Sequence, residues 1–360
     1  MRDYRPAARP QPAFPIRMLA LDIDGTLVDA DAELSERTIA AIREAVARGV
    51  SVSLATGRMP SSAVLFANRL GLEEPIIGHQ GAVVRAMPAP SARTDVTMPP
   101  FRGRIGPILS HTPLAPDVTA DAVRFCVQHG LDPHINHLER MIVQRGDPNF
   151  ADYSAYLGRD AEVVDDLARD VRHGVSKVIA VGEEGRPMAL VAEARRRFEG
   201  RASPTVSHPR FLEFVGDGVS KGRAVAWLAH RAGIPLGQVL AMGDALNDLE
   251  MVADAGHGTA MPTAPAEVRL AARYIAPPVG EDGAAAIIEA LVLAAPEDAA
   301  RNAERLAAEA RVVQAALRDG RLDGMAWGNA AVPSDPTDPP DGTGAAEPTS
   351  SDRFAEEAST

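Results

Sequence analysis

Lysine is almost missing from this 360-residue chain: of its 37 basic residues only two, Lys177 and Lys221, are lysines and the rest are arginines. Cysteine occurs once, at Cys126, which excludes an internal disulfide framework and a zinc site built from several thiolates. No stretch reaches the roughly 18 uninterrupted apolar residues of a membrane-spanning helix. The first 17 residues also lack the apolar run of a secretory signal. We therefore expect a cytoplasmic protein with no membrane partner.

Positive charge is scarce overall, since the formal net charge is −12 and the isoelectric point is about 5.3. Nucleic-acid binders need a basic face for the phosphate backbone, so we expect no nucleic-acid partner. Six of the twelve net negative charges lie within residues 320–360, a segment rich in proline and polar residues. Such a composition predicts a disordered tail, with an interaction tail as the functional alternative.

Short apolar runs alternate with helical patterns along most of the chain, which is typical of an α/β fold with a parallel sheet. Buried-strand runs occupy residues 18–24, 50–56 and 239–244, and Ser35 is a good N-cap for a helix ending near residue 48. This alternation of strand and helix patterns is interrupted at residues 83–206, where the pattern is that of an α+β domain. The predicted organisation is a flexible extension at 1–17, a core at 18–82 and 207–293, an inserted domain at 83–206, a helix at 294–319 and the tail at 320–360.

Polar residues of suggestive kinds stand at the predicted strand ends, where open α/β sheets bind ligands. They are Asp22, Asp24, Thr56, Lys221, Asp244 and Asp248. Each alone could be a helix cap or a turn residue. Taken together, neighbouring acids need a cation, and Mg²⁺ takes carboxylate oxygens together with a substrate phosphate. The set therefore predicts a site that holds Mg²⁺ and a phosphoryl group, with a lysine as a fixed positive charge.

The same residues form motifs that resemble the haloacid dehalogenase superfamily of phosphatases, in its Cof-type branch with a large α/β cap. The four motifs, in chain order, are Asp-Ile-Asp-Gly-Thr at 22–26, Leu-Ala-Thr-Gly-Arg at 54–58, Ser-Lys-Gly at 220–222 and Gly-Asp-Ala-Leu-Asn-Asp at 243–248. The resemblance covers residues 18–293. It implies a Rossmann-like doubly wound parallel sheet core with an inserted α+β cap domain.

The resemblance also implies a role for each matching residue. Asp22 would be the nucleophile that forms an aspartyl-phosphate, Asp24 the general acid and base, and Lys221 a charge on the transferring group. Phosphate would be bound by Thr56, Gly57, Lys221 and Asn247. Magnesium would be held by Asp22, the main-chain carbonyl of Asp24 and Asp244, with Asp248 orienting them.

These implications predict a Mg²⁺-dependent phosphatase for a small phosphorylated metabolite, such as a sugar phosphate or a phosphorylated cofactor. Dehalogenases of the superfamily lack an acid at the position of Asp24, whereas phosphatases and phosphomutases have it. A phosphohexomutase and an inactive module that acts as a binding protein remain alternatives, and the oligomeric state stays open.

Two residues near these motifs receive no single role. Gln80 stands where the Cof-type pattern has asparagine. Because the resemblance places this position near the site rather than in it, we expect the difference to affect substrate preference before catalysis. Lys177 begins a predicted strand of the inserted domain, and a structural role and a substrate-binding role are equally compatible with its position.

Overall fold

The computed structural model describes residues 10–29, 33–89, 104–148 and 161–322. In chain order the strands are β1 (Met18–Leu21), β2 (Ser51–Leu54), β3 (Ile76–Gly78), β4 (Val83–Arg85), β5 (Ile108–His111), β6 (Asp132–His137), β7 (Arg140–Gln144), β8 (Glu162–Val164), β9 (Lys177–Val181), β10 (Ala202–His208), β11 (Phe211–Gly216), β12 (Val239–Gly243), β13 (His257–Ala260) and β14 (Tyr274–Ile275).

The α-helices alternate with these strands. In chain order they are α1 (Glu36–Ala47), α2 (Pro60–Leu70), α3 (Pro116–Gln128), α4 (Leu167–Asp170), α5 (Arg186–Arg197), α6 (Lys221–Arg231), α7 (Leu249–Asp254), α8 (Ala266–Ala271), α9 (Gly283–Ile288) and α10 (Pro296–Arg318). The Ser35 side chain accepts a hydrogen bond from Thr38 N at 3.1 Å, so the predicted N-cap of the first helix is confirmed. Pro60 occupies the first turn of α2, where a missing N–H costs nothing.

The core is a parallel sheet in the strand order β14–β13–β12–β1–β2. Successive residues of a strand point to opposite faces. In β1, Met18 and Ala20 therefore contribute to one apolar cluster, and Leu19 and Leu21 to another on the opposite face. A sheet with an apolar core on both faces is doubly wound, which confirms the predicted fold class.

The order of the strands decides where the functional residues meet. Strand β1 lies between β2 and β12, with Leu21 in register with both Leu54 and Met242. Residues that follow these three parallel strands consequently leave the sheet at the same edge. The sequence motifs at 22–26, 54–58 and 243–248 are brought together by this register.

A second, six-stranded sheet has the order β10–β11–β9–β6–β7–β8 and is antiparallel except for the β7–β8 pair. Together with helices α3 to α5 it forms the inserted domain, which is described over residues 116–148 and 161–216. The predicted boundary at 206/207 is wrong, because it cuts β10 and assigns β11 to the core. Strand periodicity at 205–215 indicates an extended chain but not the sheet in which it pairs.

The predicted start of the inserted domain at residue 83 also differs from the structure. Strand β4 pairs with both β3 and β5 in a small three-stranded sheet. An isolated bridge between Ala55 and Ile77 joins this sheet to the end of β2. Residues 83–85 and 108–111 therefore extend the core rather than the inserted domain.

Both ends of the chain are described only in part. Residues 10–17 were predicted to be flexible, yet Ala13 N donates to Gly237 O at 2.8 Å and Ile16 is buried, so this segment packs on the core. Residues 1–9 and the predicted tail beyond Leu322 lie outside the described residues. Helix α10 lies within the segment predicted at 294–319, and Gln314 anchors it to the carbonyls of Arg269 and Ala272. None of the described helices is long and apolar enough to cross a membrane.

Candidate active site

Three carboxylates converge at the edge of the core sheet. Asp22 follows β1 and Asp244 follows β12, while Asp248 ends the short 3₁₀ turn Leu246–Asp248. Each of the three offers an oxygen within 4.8 Å of the others. Asp22 is 4% exposed and Asp248 is fully buried, so their charges are poorly screened by water. The structure thus brings together the acids that the sequence predicted to share one site.

Gly25 makes this convergence possible. It has φ +73°, and a Cβ at this position would lie 2.2 Å from Asp244 Oδ2. Any side chain there would both strain the backbone and displace the Asp244 carboxylate. The turn at residues 23–28 is closed by a hydrogen bond from Gly25 N to Val28 O at 2.9 Å.

Lys221 lies among the acids at the first position of α6. Its Nζ donates to Asp22 Oδ1 at 2.6 Å and to Asp248 Oδ1 at 2.7 Å, and the residue is 1% exposed. The helix begins there because the Ser220 side chain caps it by accepting from Arg223 N at 3.1 Å. Burial opposes the charged ammonium, but the Asp22 and Asp248 carboxylates prevail and raise the pKa of Lys221 above its ordinary value.

The acids carry more charge than one lysine balances. Burial raises the pKa of Asp22 to about 7, and the nearby Asp248 and Asp24 charges add to this against the opposing effect of Lys221. Burial and the charges of Asp22 and Asp248 also raise the pKa of Asp244 well above its ordinary value. A divalent cation would relieve both penalties, since it favours the ionised form of each carboxylate. An all-oxygen donor set of this kind suits Mg²⁺.

Asp248 shapes the loop around the other acids. Its Oδ2 accepts from Asp244 N at 3.1 Å and from Ala245 N at 3.0 Å, while its Oδ1 accepts from Lys221. A Cβ on Gly243 would lie 2.4 Å from the Cβ of Asp248, so the loop closes only with glycine there. Since both of its oxygens are engaged, Asp248 fixes the positions of Lys221 and of the Asp244 main chain.

The Asp24 carboxylate is bound by a different partner, Arg58, and not by Lys221. Arg58 Nε donates to Asp24 Oδ2 at 2.8 Å and Arg58 Nη2 to Oδ1 at 2.5 Å, a bidentate ion pair. The Arg58 side chain is 3% exposed and stacks over the Phe66 ring at 5.1 Å. Sequence reasoning assigned no function to Arg58, although it lies in the motif at 54–58. The only signal was an arginine directly after two predicted phosphate-binding residues.

Thr56 and Gly57 form the turn at the end of β2. The Thr56 hydroxyl accepts from Arg58 N at 3.1 Å, and Thr56 N donates to Ile77 O at 2.9 Å. A Cβ on Gly57 would lie 2.4 Å from Gln80 Nε2, so only glycine allows Gln80 to approach this closely. The predicted phosphate-binding turn thus follows the strand that neighbours β1.

A hydrogen-bond chain that the sequence did not predict starts at Asn247. Asn247 Nδ2 donates to Gln80 Oε1 at 2.8 Å, and Gln80 Nε2 donates to Glu213 Oε1 at 2.9 Å. Glu213 belongs to the inserted domain and pairs with Lys177, whose Nζ lies 2.9 Å from Glu213 Oε2. No periodic pattern marks such contacts, because their members lie up to 167 residues apart.

Cys126, the one cysteine of the chain, is buried in α3. The spacing of His134 and His137 in an extended segment does not favour a shared metal ion, since their side chains would not converge. Both lie in β6, where His134 is 2% exposed and therefore not a surface residue. Among the described residues, only the three acids at 22, 244 and 248 come close enough together to hold a metal.

Comparison with known proteins identifies the family of the chain. The chain matches the haloacid dehalogenase-like hydrolase family over residues 19–98 and 104–288. It is 28% identical over 245 residues to the HMP-PP phosphatase of Serratia proteamaculans, which covers 68% of this chain and 83% of the relative. The crystal structure of a haloacid dehalogenase-like hydrolase from Bacteroides thetaiotaomicron superposes with a TM-score of 0.60 at 26% identity. That superposition covers 76% of this chain and 99% of the other.

A further likeness concerns the fold alone. A subclass IIB sugar phosphatase of the same superfamily superposes with a TM-score of 0.60 at 20% identity, over 76% of this chain and 98% of the other. The family match spans most of the chain and includes both the core and the inserted domain. The chain therefore belongs to the haloacid dehalogenase-like hydrolase family and, within it, to the Cof-type phosphatases.

Proposed function

We propose that this protein is a Mg²⁺-dependent phosphatase that hydrolyses a small phosphorylated metabolite through an aspartyl-phosphate on Asp22. The observation that carries the proposal is the arrangement around Asp22. One of its oxygens is fixed by Lys221 at 2.6 Å, two further acids lie beside it, and a separate acid, Asp24, is held nearby by Arg58. This arrangement supplies a nucleophile, a site for a cation and a proton carrier.

The first chemical step requires Asp22 as a carboxylate. An Asp22 oxygen forms a bond to phosphorus while the bond from phosphorus to the leaving alcohol oxygen breaks. Asp24 delivers a proton to that oxygen, so that an alcohol rather than an alkoxide departs. Lys221 orients the Asp22 carboxylate and adds positive charge beside the transferring group, where phosphoryl transfer gains most of its catalysis.

The second step reverses the role of Asp24. Its carboxylate takes a proton from water, and the water oxygen attacks phosphorus and releases inorganic phosphate from Asp22. The two hydrogen bonds from Arg58 suit this task, because they keep the Asp24 carboxylate in place after the alcohol has left and water has entered. A single carboxyl group thereby serves as acid and then as base.

The residues present fit Mg²⁺, because three carboxylates converge where only one ammonium compensates them. No donor among the described residues hydrogen-bonds the Asp244 carboxylate, which leaves it available to a cation. Asp22, Asp244 and the main-chain carbonyl of Asp24 would hold the ion, with Asp248 keeping their loop in place. When bound, the ion supplies positive charge that neutralises the phosphoryl oxygens.

Thr56, the Gly57 N–H and Asn247 complete the proposed phosphate site. The Asn247 amide has two protons, of which Gln80 accepts one at 2.8 Å. The second remains for a phosphate oxygen. Together with Lys221, these donors would surround the phosphoryl group from the edges of three neighbouring strands.

The inserted domain lies directly on this site, which supports a small substrate. Lys177 Nζ reaches Gly57 O at 2.9 Å, and Leu138 O lies 2.7 Å from His79 Nε2. A sugar phosphate or a phosphorylated cofactor fits a site covered in this way, whereas a protein or a nucleic acid would need an open face. The similarity to an HMP-PP phosphatase supports the same substrate class.

The test is phosphate release from p-nitrophenyl phosphate and a panel of small phosphomonoesters with Mg²⁺, for the wild type and Asp22→Asn. We expect turnover in the wild type and loss of turnover in the variant, since an amide cannot act as the nucleophile. Product isomers with little free phosphate would instead establish a phosphohexomutase. Equal inactivity of both proteins across the panel would refute the enzymatic proposal and favour a binding module.

A further inference from the structure

Two buried, oppositely charged residues of the inserted domain contact the loops that follow β2 and β3 in the core, at Gly57 and Gln80. Lys177, at the start of β9, and Glu213, in β11, are each 2% exposed by side chain. Glu213 is in register with Ile179, two residues beyond Lys177, so both side chains lie on the same face of adjacent strands. A diagonal pair at this spacing is within reach of long side chains.

Each member of the pair also binds the core. Lys177 Nζ donates to Gly57 O at 2.9 Å, 120 residues away, and to Glu213 Oε2 at 2.9 Å. Glu213 Oε1 accepts from Gln80 Nε2 at 2.9 Å, and the Ser207 hydroxyl donates to the same oxygen. The pair thus contacts the loop that follows β2 and the turn that follows β3.

Through Gln80 the contact continues to the acidic loop. Gln80 Oε1 accepts from Asn247 Nδ2 at 2.8 Å, and Asn247 precedes Asp248, which holds Lys221. Gln80 is itself fixed, because its N–H donates to Thr56 O at 3.1 Å and its φ is +60°. One buried ion pair therefore reaches two of the loops proposed to bind phosphate.

Stability alone explains such a pair poorly. A buried ion pair costs desolvation energy and is often replaced by apolar residues without loss of stability. Burial and the Lys177 charge lower the pKa of His134 to about 3, so this neighbouring histidine adds no positive charge to balance Glu213. Packing does not require the charges of Lys177 and Glu213. A role in positioning the loops at Gly57 and Gln80 accounts for them.

We propose that Lys177 and Glu213 are positioning residues of the phosphatase site. When the inserted domain lies on the core, Lys177 fixes the Gly57 carbonyl and hence the Thr56–Gly57 turn, while Glu213 fixes Asn247 through Gln80. The phosphate-binding groups are thereby held in place by contacts from the inserted domain. This inference rests on the proposed phosphatase activity and adds the residues that couple the inserted domain to it.

The experiment compares the wild type with Lys177→Met, Glu213→Gln and the double variant, all as full-length protein with Mg²⁺ and p-nitrophenyl phosphate. Turnover, KM, inhibition by inorganic phosphate and Tm are measured. Arg201→Met is the matched control, because it removes an ion pair with Asp121 that lies within the inserted domain. The Glu213→Gln variant keeps volume and an acceptor oxygen, so it tests the proposal even if Lys177→Met fails to fold.

Each folded variant should lower kcat by about 10- to 100-fold, as expected when reacting groups are slightly misplaced. Inhibition by inorganic phosphate should weaken in parallel. Lys177→Met should also lower Tm, because it leaves Glu213 buried without a counter-charge, and the neutral double variant should recover Tm but not kcat. The Arg201→Met control should keep the wild-type kcat.

A folded double variant with the kcat and phosphate inhibition of the wild type would overturn the positioning role. So would a folded Glu213→Gln variant with unchanged kcat. Failure of the proposed function has a different signature, since the wild type would then release no phosphate from any phosphomonoester. The two results are distinguished by the wild-type assay alone.

Discussion

Arg58 donates hydrogen bonds to both oxygens of the Asp24 carboxylate, from Nε to Oδ2 at 2.8 Å and from Nη2 to Oδ1 at 2.5 Å. The pair joins the loop after β1 to the loop after β2. It orients the proposed proton carrier, Asp24, while Lys221 binds Asp22 and Asp248. One function of the motif at 54–58 is therefore to orient a residue of the motif at 22–26.

Arg58→Met should impair turnover of substrates with poor leaving groups most strongly. An alkoxide leaves only with a proton from Asp24, whereas p-nitrophenolate leaves without one, and positioned acid–base catalysis contributes about 100-fold or more. We expect a loss of that order with alkyl phosphates and a much smaller loss with p-nitrophenyl phosphate. Steady-state kinetics with both substrates check this, with Arg58→Lys as the charge-retaining control. Equal losses with both substrates would contradict the role.

Lys221→Arg should lower turnover by about 100-fold or more while the protein stays folded. The ammonium lies between Asp22 and Asp248 at 2.6 and 2.7 Å in a space that is 1% exposed. A planar guanidinium is broader and presents its donors in a fixed fork, so it cannot reproduce both contacts. Circular dichroism and kcat measured on the same sample separate the fold from catalysis. Activity near that of the wild type would refute the fit.

Mg²⁺ should raise Tm, because an ion that binds only the native state stabilises it. Asp244→Asn should raise Tm in the absence of the ion, since it removes one of the charges that repel Asp22 and Asp248. The same variant should lose most of the Mg²⁺-dependent rise and all chelator-sensitive activity. Asp132→Asn, at an exposed position in β6, is the control that should change neither quantity. An unchanged Mg²⁺ response in Asp244→Asn would exclude this acid as a ligand.

Acid should destabilise the protein partly through His257. Burial lowers the pKa of His257 to about 4, with the ring nitrogens 3.1 Å from Ala13 O and from the Tyr274 hydroxyl. Between pH 6.5 and 4 the unfolded chain binds a proton that the native state does not, so the free energy of unfolding falls as pH falls. The contribution is at most about 3 kcal/mol. Urea unfolding across this range should be less pH-dependent in His257→Gln, and an identical slope would contradict the assignment.

Local patterns were sufficient for the core of the fold. The apolar run at 18–24 predicted β1, although the strand itself ends at Leu21 and the two acids follow it. Ser35 and Pro60 marked helix starts through the chemistry of their own side chains and backbone. Such features depend on neighbours within a few residues, which is why a sequence reveals them.

Pairing between distant segments was not predictable in the same way. Strands β10 and β11 have the periodicity of strands, but their place in the second sheet depends on β9. The pairs Arg58–Asp24 and Gln80–Glu213 likewise join segments that are 34 and 133 residues apart. Nothing in a local pattern specifies a partner, because only the folded sheet order brings these positions together.

The two lysines illustrate the difference between what local patterns predict and what only contacts between distant segments decide. The sequence by itself singled out Lys221, since its motif stands in order with three others, and it determined the acids and the alternation of strands and helices. Only the tertiary structure decided that Lys177, the other lysine, is buried against Glu213 and the Gly57 carbonyl. A motif consists of adjacent residues and can be recognised in the sequence. The contacts of the inserted domain with Gly57 and Gln80 exist only once two sheets have formed and packed together.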